Sequence, residues 1–264
     1  MTDQTHPLSV QSLLRCFALP ADSRVNQRVP KKLLLEHGAP TAADKRLINE
    51  GIEEIQWLAA LKPNTIGVAA YQDEQREYLE IAVVSLTLRS LEGKQAQTLR
   101  LAERLHRAVP YPLLLLIQNG SELLLTLAQK RWAQNEAGKV VLDGELSTAR
   151  LPQDGVSRET ASAFCQSLAL NRQPQSHLKA LYQGWIDKCD SLKAAALTGI
   201  FKAPTTPEQA TARRHALLEC ERLEAEAHRL HTLASKEKQL ARQVELNLAF
   251  KRVQTELDKH RGAL

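Results

Sequence analysis

The chain has 264 residues, with 35 Lys and Arg against 30 Asp and Glu, for a formal charge of +5. That balance permits nucleic-acid or acidic-protein partners without requiring them. A hydrophobic share of 43% suffices for a packed core and excludes wholesale disorder, while a 4% aromatic share leaves few side chains to stack bases or line an aromatic pocket.

Cys16, Cys165, Cys189 and Cys220 are dispersed with no CxxC or CxxH spacing. They read as reduced small hydrophobes, neither a zinc site nor a disulfide framework. The N-terminus, MTDQTHPLSVQSLLRCF, carries acidic and polar residues where a signal peptide would be positive. No apolar run approaches the roughly 20 residues that span a bilayer. The expectation is a cytoplasmic protein without membrane contact.

Ser9 to Phe17 reads as a short amphipathic helix, followed by a basic loop with Arg24, Arg28, Lys31 and Lys32 around Pro30. Thr41 caps the next helix and Asp44 complements its positive end. Ile48, Ile52, Ile55 and Ala59 then mark one apolar face that runs on until Pro63. Strands are expected at Thr65–Ala70 and Tyr78–Arg89. In the second, both alternating sets are apolar, so it should be central, flanked by the Thr65 and Leu113 strands, with Leu79, Ile81, Val83 and Val84 buried. A helix over Glu92–Val109 faces inward through Leu101, Leu105 and Ala108, and Pro110 and Pro112 end it. Leu113–Ile117 and Glu122–Lys130 form a hairpin across Asn119-Gly120, a strong turn signal. Val140–Ala149 is a fifth strand. The result is an α/β domain over residues 1–150, with a mixed sheet of order ββαβββ.

Residues 151–203 read as a helical connector, with helices at Arg158–Ala169, Ser176–Lys188 and Leu192–Phe201. A C-terminal coiled-coil helix occupies 204–264, with Thr206 as cap and Pro207 at its first position. Glu208 to Arg261 holds no Pro or Gly. Ala216, Cys220, Leu223, Ala227, Leu230 and Ala234 step as a seam, and Leu246, Phe250, Val253 and Leu257 form a second seam displaced by two positions. Unbroken, such a helix would reach about 80 Å. Leu223, Leu230, Leu246, Phe250, Val253 and Leu257 are assigned to a homo-oligomer seam, with docking back onto the chain itself as the rival. The polar stretch Lys236, Lys238, Gln239, Arg242 and Asn247, where the seam fails near Glu237–Val244, reads either as a polar layer fixing register or as a docking site.

Several segments together resemble the bacterial domain-of-unknown-function family 4391. They are VPKKLLLEHGAPTAADKRLINEGIEEIQWLAALKPNTI, with Pro30, Lys31, Trp57, Leu61, Pro63 and Thr65 in place; Val109–Pro112, reading VPYP; Lys130-Arg131; and KEKQLARQVELN, Lys236 to Asn247. The resemblance covers most of the chain and implies no activity. Genes of the family stand beside helicases and DNA methyltransferases of phage-defence clusters, which implies an accessory subunit with such proteins as partners.

A PD-(D/E)xK nuclease needs carboxylates and a lysine on adjacent strands to hold Mg²⁺ and activate water. The resemblance implies Glu-Leu-Lys at the end of the central strand, where this chain reads Thr87-Leu88-Arg89. Thr supplies no charged ligand and Arg stays protonated; Asp73 and Glu80 are the remaining nearby acids. His228 and His231 share a helix face but no further ligand completes a site. No P-loop, dinucleotide or GxSxG motif is present, so no metal or cofactor is expected. Arg24, Arg28, Lys31, Lys32, Lys130 and Arg131 are the residues proposed to contact nucleic acid, since loop cations suit phosphates. The reading is a non-enzymatic accessory or scaffold subunit of a restriction-like phage-defence complex, acting through protein and DNA contacts. The alternatives are a DNA-binding module and a degenerate or partner-dependent metal-dependent nuclease.

Overall fold

The computed structural model describes residues 9–264 other than Ser90, Asn135 and Ala137, and His37 for its backbone alone; the reading of residues 1–8 lies outside the described residues. The chain divides into two compact units. One comprises the chain up to Gln153 together with Ala161–Cys189; the other comprises Asp154–Thr160 with Asp190–Leu264.

The first unit opens with α1 (Val10–Cys16), β1 (Arg24–Arg28), α2 (Lys31–Gly38), α3 (Ala42–Gly51) and β2 (Ile52–Leu61). It continues through α4 (Pro63–Ile66), the ribbon of β3 (Tyr71–Gln72) and β4 (Glu77–Tyr78), β5 (Ile81–Leu88) and α5 (Gln95–Ala108). Next come β6 (Leu113–Asn119), β7 (Glu122–Leu127), the ribbon of β8 (Lys130–Trp132) and β9 (Val140–Leu142), and β10 (Ser147–Leu151). Two helices follow, α6 (Arg158–Ser167), which belongs to the first unit from Ala161 on, and α7 (Leu178–Thr198), which belongs to it up to Cys189.

Six strands form one mixed sheet, ordered β1-β2-β5-β6-β7-β10. Its one parallel pair is β5 with β6, joined across α5, because a parallel return needs a crossover rather than a hairpin. Both residue sets of β5 are buried, including Ile81, Val83 and Val84, as expected for a strand covered on both faces. Ile55, Val84, Leu86, Leu101, Leu105 and Leu115 build the core under α2, α3 and α5. Below the β6 and β7 ends, the fully buried Tyr182 donates to the Leu113 carbonyl at 2.7 Å and accepts from the Ala128 amide at 2.9 Å.

Several sequence expectations change. The helix expected to run from Thr41 to Pro63 is a helix only to Gly51, after which the chain becomes β2. β2 pairs with β5 through two register irregularities, between Ile52 and Glu54 and between Trp57 and Ala59. Each inserts a residue into the alternation, so Ile52, Ile55 and Leu58 are buried three apart, a spacing that imitates a helix. Thr65–Ala70 is not a strand. Pro63 starts α4, the Thr65 hydroxyl accepts from the Lys62 amide at 2.9 Å, and Gly67 at φ +70° ends the turn.

The flanks of β5 are therefore β2 and β6. Leu79 lies outside β5 and is 45% exposed, contrary to the expected burial, because Tyr78 is held in the β3–β4 ribbon opposite Tyr71. The basic loop contains strand β1. The main sheet thus takes three strands from before α5 and three from after it, against the two and three of the expected order. Val140–Ala149 is split into β9 and part of β10, with Gly144 at φ +90° between them. The last two connector helices are the single helix α7.

In the second unit, α8 (Pro207–Lys236) begins as predicted, with Pro207 first and the Thr206 hydroxyl accepting from the Gln209 amide at 3.3 Å. α9 (Leu240–Arg261) follows after three residues. The two helices run antiparallel. Leu257 packs with Cys220 and Leu223, Phe250 lies 5.7 Å from His231, and Arg261 bridges Glu224 at 2.9 Å. The single helix of about 80 Å expected from its spacing is thus doubled back into a hairpin. Among the described residues no helix is long and apolar enough to cross a membrane.

Candidate nucleic-acid interface

β5 ends with Thr87 directly opposite Glu54 of β2 and beside Gln118 of β6. Arg89 follows, its amide bound to the Gly51 carbonyl at 2.8 Å and its side chain exposed. Lys31, in the first turn of α2, donates from Nζ to the Ile52 carbonyl and, at 3.5 Å, to that of Asn49. Desolvation lowers its pKa, and the neighbouring Arg89 and Arg28 charges lower it further. Arg28 reaches Glu54 at 3.7 Å. This corner therefore sets Arg28, Lys31 and Arg89 beside two carboxylates of β2, Glu53 and Glu54. Its cations suit phosphate oxygens. Among the described residues no group of three or more His, Cys, Asp or Glu side chains is placed to hold a metal ion.

Asp73 and Glu80 do not join this corner. Asp73 accepts from the Tyr71 hydroxyl at 2.6 Å and from the amides of Gln75 and Arg76, closing the β3–β4 turn. Glu80 precedes β5, about 23 Å of extended strand from Thr87 at 3.3 Å per residue, and pairs with Lys62 at 3.1 Å.

The cationic surface continues onto helices that the sequence reading left out. A groove of about 520 Å³ is lined by Arg46, Glu50, Arg89, Lys94, Gln97 and Arg100. A second, of about 760 Å³, is lined by Arg100, Arg104 and Arg107 with Glu103 and Glu145. Arg100, Arg104 and Arg107 step by four and three, so α5 presents them as one row. Arg100 and Arg104 are anchored by Asp44, fully buried at the start of α3, which accepts from Arg100 at 2.8 Å, Arg104 at 3.1 Å and the Thr41 hydroxyl at 2.7 Å, while Arg107 pairs with Glu103 at 2.8 Å. The Thr41 hydrogen bond, followed by the two guanidinium groups, holds the Asp44 carboxyl down at about 2 despite its burial. One carboxylate thus serves two arginines. Among the described residues no carboxylate lies within ion-pair reach of Arg89 or Lys94. The spacing of Arg100, Arg104 and Arg107 was the available signal, hidden because α5 reads first as a core helix.

Of the proposed residues, Arg24 and Arg28 lie on β1, Lys31 and Lys32 begin α2, and Lys32 pairs with Glu36 at 3.8 Å. Lys130 does not fit a phosphate contact. It is 2% exposed and donates from Nζ to the carbonyls of Val109 and Tyr111, the latter at 2.5 Å. Burial pushes its pKa down to about 7. The VPYP and Lys130-Arg131 segments are therefore one structural brace. Arg131 turns to Asp143 at 3.6 Å and to the Trp132 carbonyl at 3.2 Å.

In the second unit, Leu223, Leu230 and Leu257 are buried, and Leu246, Phe250 and Val253 are half-buried. The packing of Leu257 on Leu223 is intramolecular, so these seams do not by themselves call for a second chain. The polar stretch spans the hairpin turn, with Lys236 ending α8, Lys238 and Gln239 in the turn, and Arg242 and Asn247 in α9. Glu237 accepts from the Lys238 and Gln239 amides at 2.8 and 2.9 Å and pairs with Arg242 at 3.6 Å. Lys236, Lys238, Gln239, Arg242 and Asn247 are all exposed, so they are not a buried polar layer. Beside them, Leu240, Val244 and Leu248 form an exposed apolar stripe at i, i+4 and i+8.

No curated protein and no solved structure matches the chain. The family model described as Domain of unknown function (DUF4391) matches residues 17–257, nearly the whole length, and the chain belongs to that family.

Proposed function

We propose that this protein is a non-enzymatic, cytoplasmic accessory subunit of a bacterial restriction-like phage-defence complex. On this reading it contacts DNA through the Arg28–Lys31–Arg89 corner and the arginine row of α5. The observation that carries the proposal is the cationic groove in which, among the described residues, Arg89 and Lys94 have no carboxylate partner. We read α8 and α9 as an antiparallel coiled coil whose exposed Leu240–Val244–Leu248 stripe meets protein partners, a second copy or a helicase- or methyltransferase-type subunit.

The test is duplex-DNA binding by fluorescence anisotropy across a salt series. Affinity should fall steeply with salt, and each lost phosphate contact should reduce the slope of log K against log salt by about 0.9. Arg89→Gln and Lys94→Gln should therefore flatten the slope, whereas Lys130→Gln should leave it unchanged. Salt-independent or absent binding would refute the DNA reading. Glu54 opposite Thr87 on adjacent strands also favours a second reading, a degenerate, partner-dependent nuclease. Cleavage in the same samples on adding Mg²⁺, lost in Glu54→Ala, would put that reading first.

A further inference from the structure

The layer between the sheet and its helices is not filled to one end. Along α5 the inward side chains pass from Leu101 and Leu105 to Ala108, and along β5 the facing set shrinks from Leu86 and Val84 to Ala82. The two alanines line a pocket of about 280 Å³ over Ile55 and Val84, within the first unit. Trp57 and Tyr111 supply aromatic walls, and the Trp57 indole is fixed by donating from Nε1 to the Ala59 carbonyl at 2.9 Å. Two of the walls, Leu33 and Tyr111, are 49% and 44% exposed, so the pocket opens to solvent. One lining residue breaks the apolar pattern. Glu80 is 9% exposed, and among the described residues its carboxylate has a single partner, Lys62 at 3.1 Å from Oε2. Lys62 lies outside the lining, with its side chain 46% exposed. A carboxylate offers about four acceptor positions, and a buried charge is costly to leave short of partners.

We propose that this pocket is a binding site for a small apolar organic cation, an alkyl- or arylalkylammonium whose hydrocarbon body lies over Ile55 and Val84 and whose charged head meets Glu80. Each part of that ligand answers a feature of the site. The volume is about nine waters' share of the liquid at roughly 30 Å³ each, which suits a compact molecule on the order of ten non-hydrogen atoms. Apolar walls with one placed polar group are the usual build of a small-molecule site: the walls hold the body and the polar group orients it. Glu80 sets the sign of the charge. A neutral alcohol of the same shape gains only the burial, and an acid brings a second negative charge against the first. Trp57 and Tyr111 favour a cation further, since tryptophan and tyrosine rings attract positive charge. The head does not have to displace Lys62, because Oε1 accepts from no other group among the described residues. The pocket shares no residue with the two cationic grooves, so it stands whether or not those meet DNA.

The test titrates the full-length protein at neutral pH, into the millimolar range, with 2-phenylethylamine, 2-phenylethanol and phenylacetate. Binding is followed by NMR through the methyl signals of Ile55, Val84 and Leu105 and the indole N–H of Trp57. The amine should move these signals with an affinity about tenfold above that of the alcohol, the gain from one charge-assisted hydrogen bond. Phenylacetate should bind most weakly. Glu80→Gln should bring the amine down to the level of the alcohol and leave the alcohol unchanged. Ala108→Leu, which fills the space, should abolish the response to both. Should Glu80→Gln fold poorly, the ranking of the three compounds on the native protein decides alone. Equal affinities for all three, a preference for the acid, shifts confined to other residues, or no shift at all would overturn the proposal.

Discussion

Lys130 and Asp44 are both buried charges, and opposite chemistry settles what each contributes. Removing the Lys130 ammonium leaves the Val109 and Tyr111 carbonyls without that donor, at about 1–3 kcal/mol for each unsatisfied group. We expect Lys130→Met to lower the urea midpoint at neutral pH. Its folded pKa of about 7 lies below the ordinary 10.5. Between those values the unfolded chain binds the extra proton, so this residue's contribution to stability rises as pH climbs from 7 toward 10.5. The stability difference between wild type and Lys130→Met, measured at pH 7 and pH 9.5, should grow in favour of wild type. A constant difference would refute the lowered pKa. Asp44 has the opposite dependence. Its stabilisation is present above pH 3.8 and is lost as pH falls through about 2. Asp44→Asn should cost about 3 kcal/mol in urea unfolding at pH 7, the low end for breaking a buried ion pair because Arg100 and Arg104 retain access to water. A loss under 1 kcal/mol would mean that the arginines find other partners. The cap at Thr41 and the acid at Asp44 were legible from sequence. Their arginine partners, more than fifty residues away, were not, because nothing local marks which helix face a distant carboxylate will meet.

β2 and the α8–α9 turn show where periodicity misleads and where it informs. The bulged registry of β2 gave buried residues three apart, and no local residue separates that pattern from a helix. β5, apolar on both alternating sets, was legible, as was the β6–β7 turn, where Gly120 at φ +59° supplies the backbone that Asn-Gly predicts. The two-residue displacement between the C-terminal seams was the readable trace of the hairpin. Its sharpness was not readable, because the turn is made without Pro or Gly by Glu237 gathering two successive amides. The seam residues therefore serve folding of the hairpin. Leu257→Ala should destabilise it by about 2–3 kcal/mol, the lower part of the range for a buried Leu. Circular dichroism should show an earlier loss of helix, and proteases should cut within 237–239 sooner. An unchanged melt and cleavage rate would mean that Leu257 packs on nothing of consequence.

For the molecule as a whole, the sequence conveyed an α/β body and a helical C-terminal part, and the family match agrees with the resemblance carried by its motifs. On the proposed reading, association falls to the outer stripe and not to the seam. If Leu240, Val244 and Leu248 join two copies, light scattering should give a concentration-dependent mass that falls to the monomer in Leu240→Lys/Val244→Lys with the helix content intact. A monomer at every concentration would leave the stripe to a different protein. The sharing of Asp44 by two arginines has a further thermodynamic consequence. A guanidinium already fixed through Nε has surrendered its rotamer entropy during folding, although 44% of the Arg100 side chain remains open to solvent. A phosphate arriving there orders little that is not already ordered, so more of the contact is realised as affinity. On the proposed reading, the face is preorganised for a stiff polyanion whose charges are evenly spaced, and it distinguishes duplex from flexible strand by backbone geometry and not by base identity.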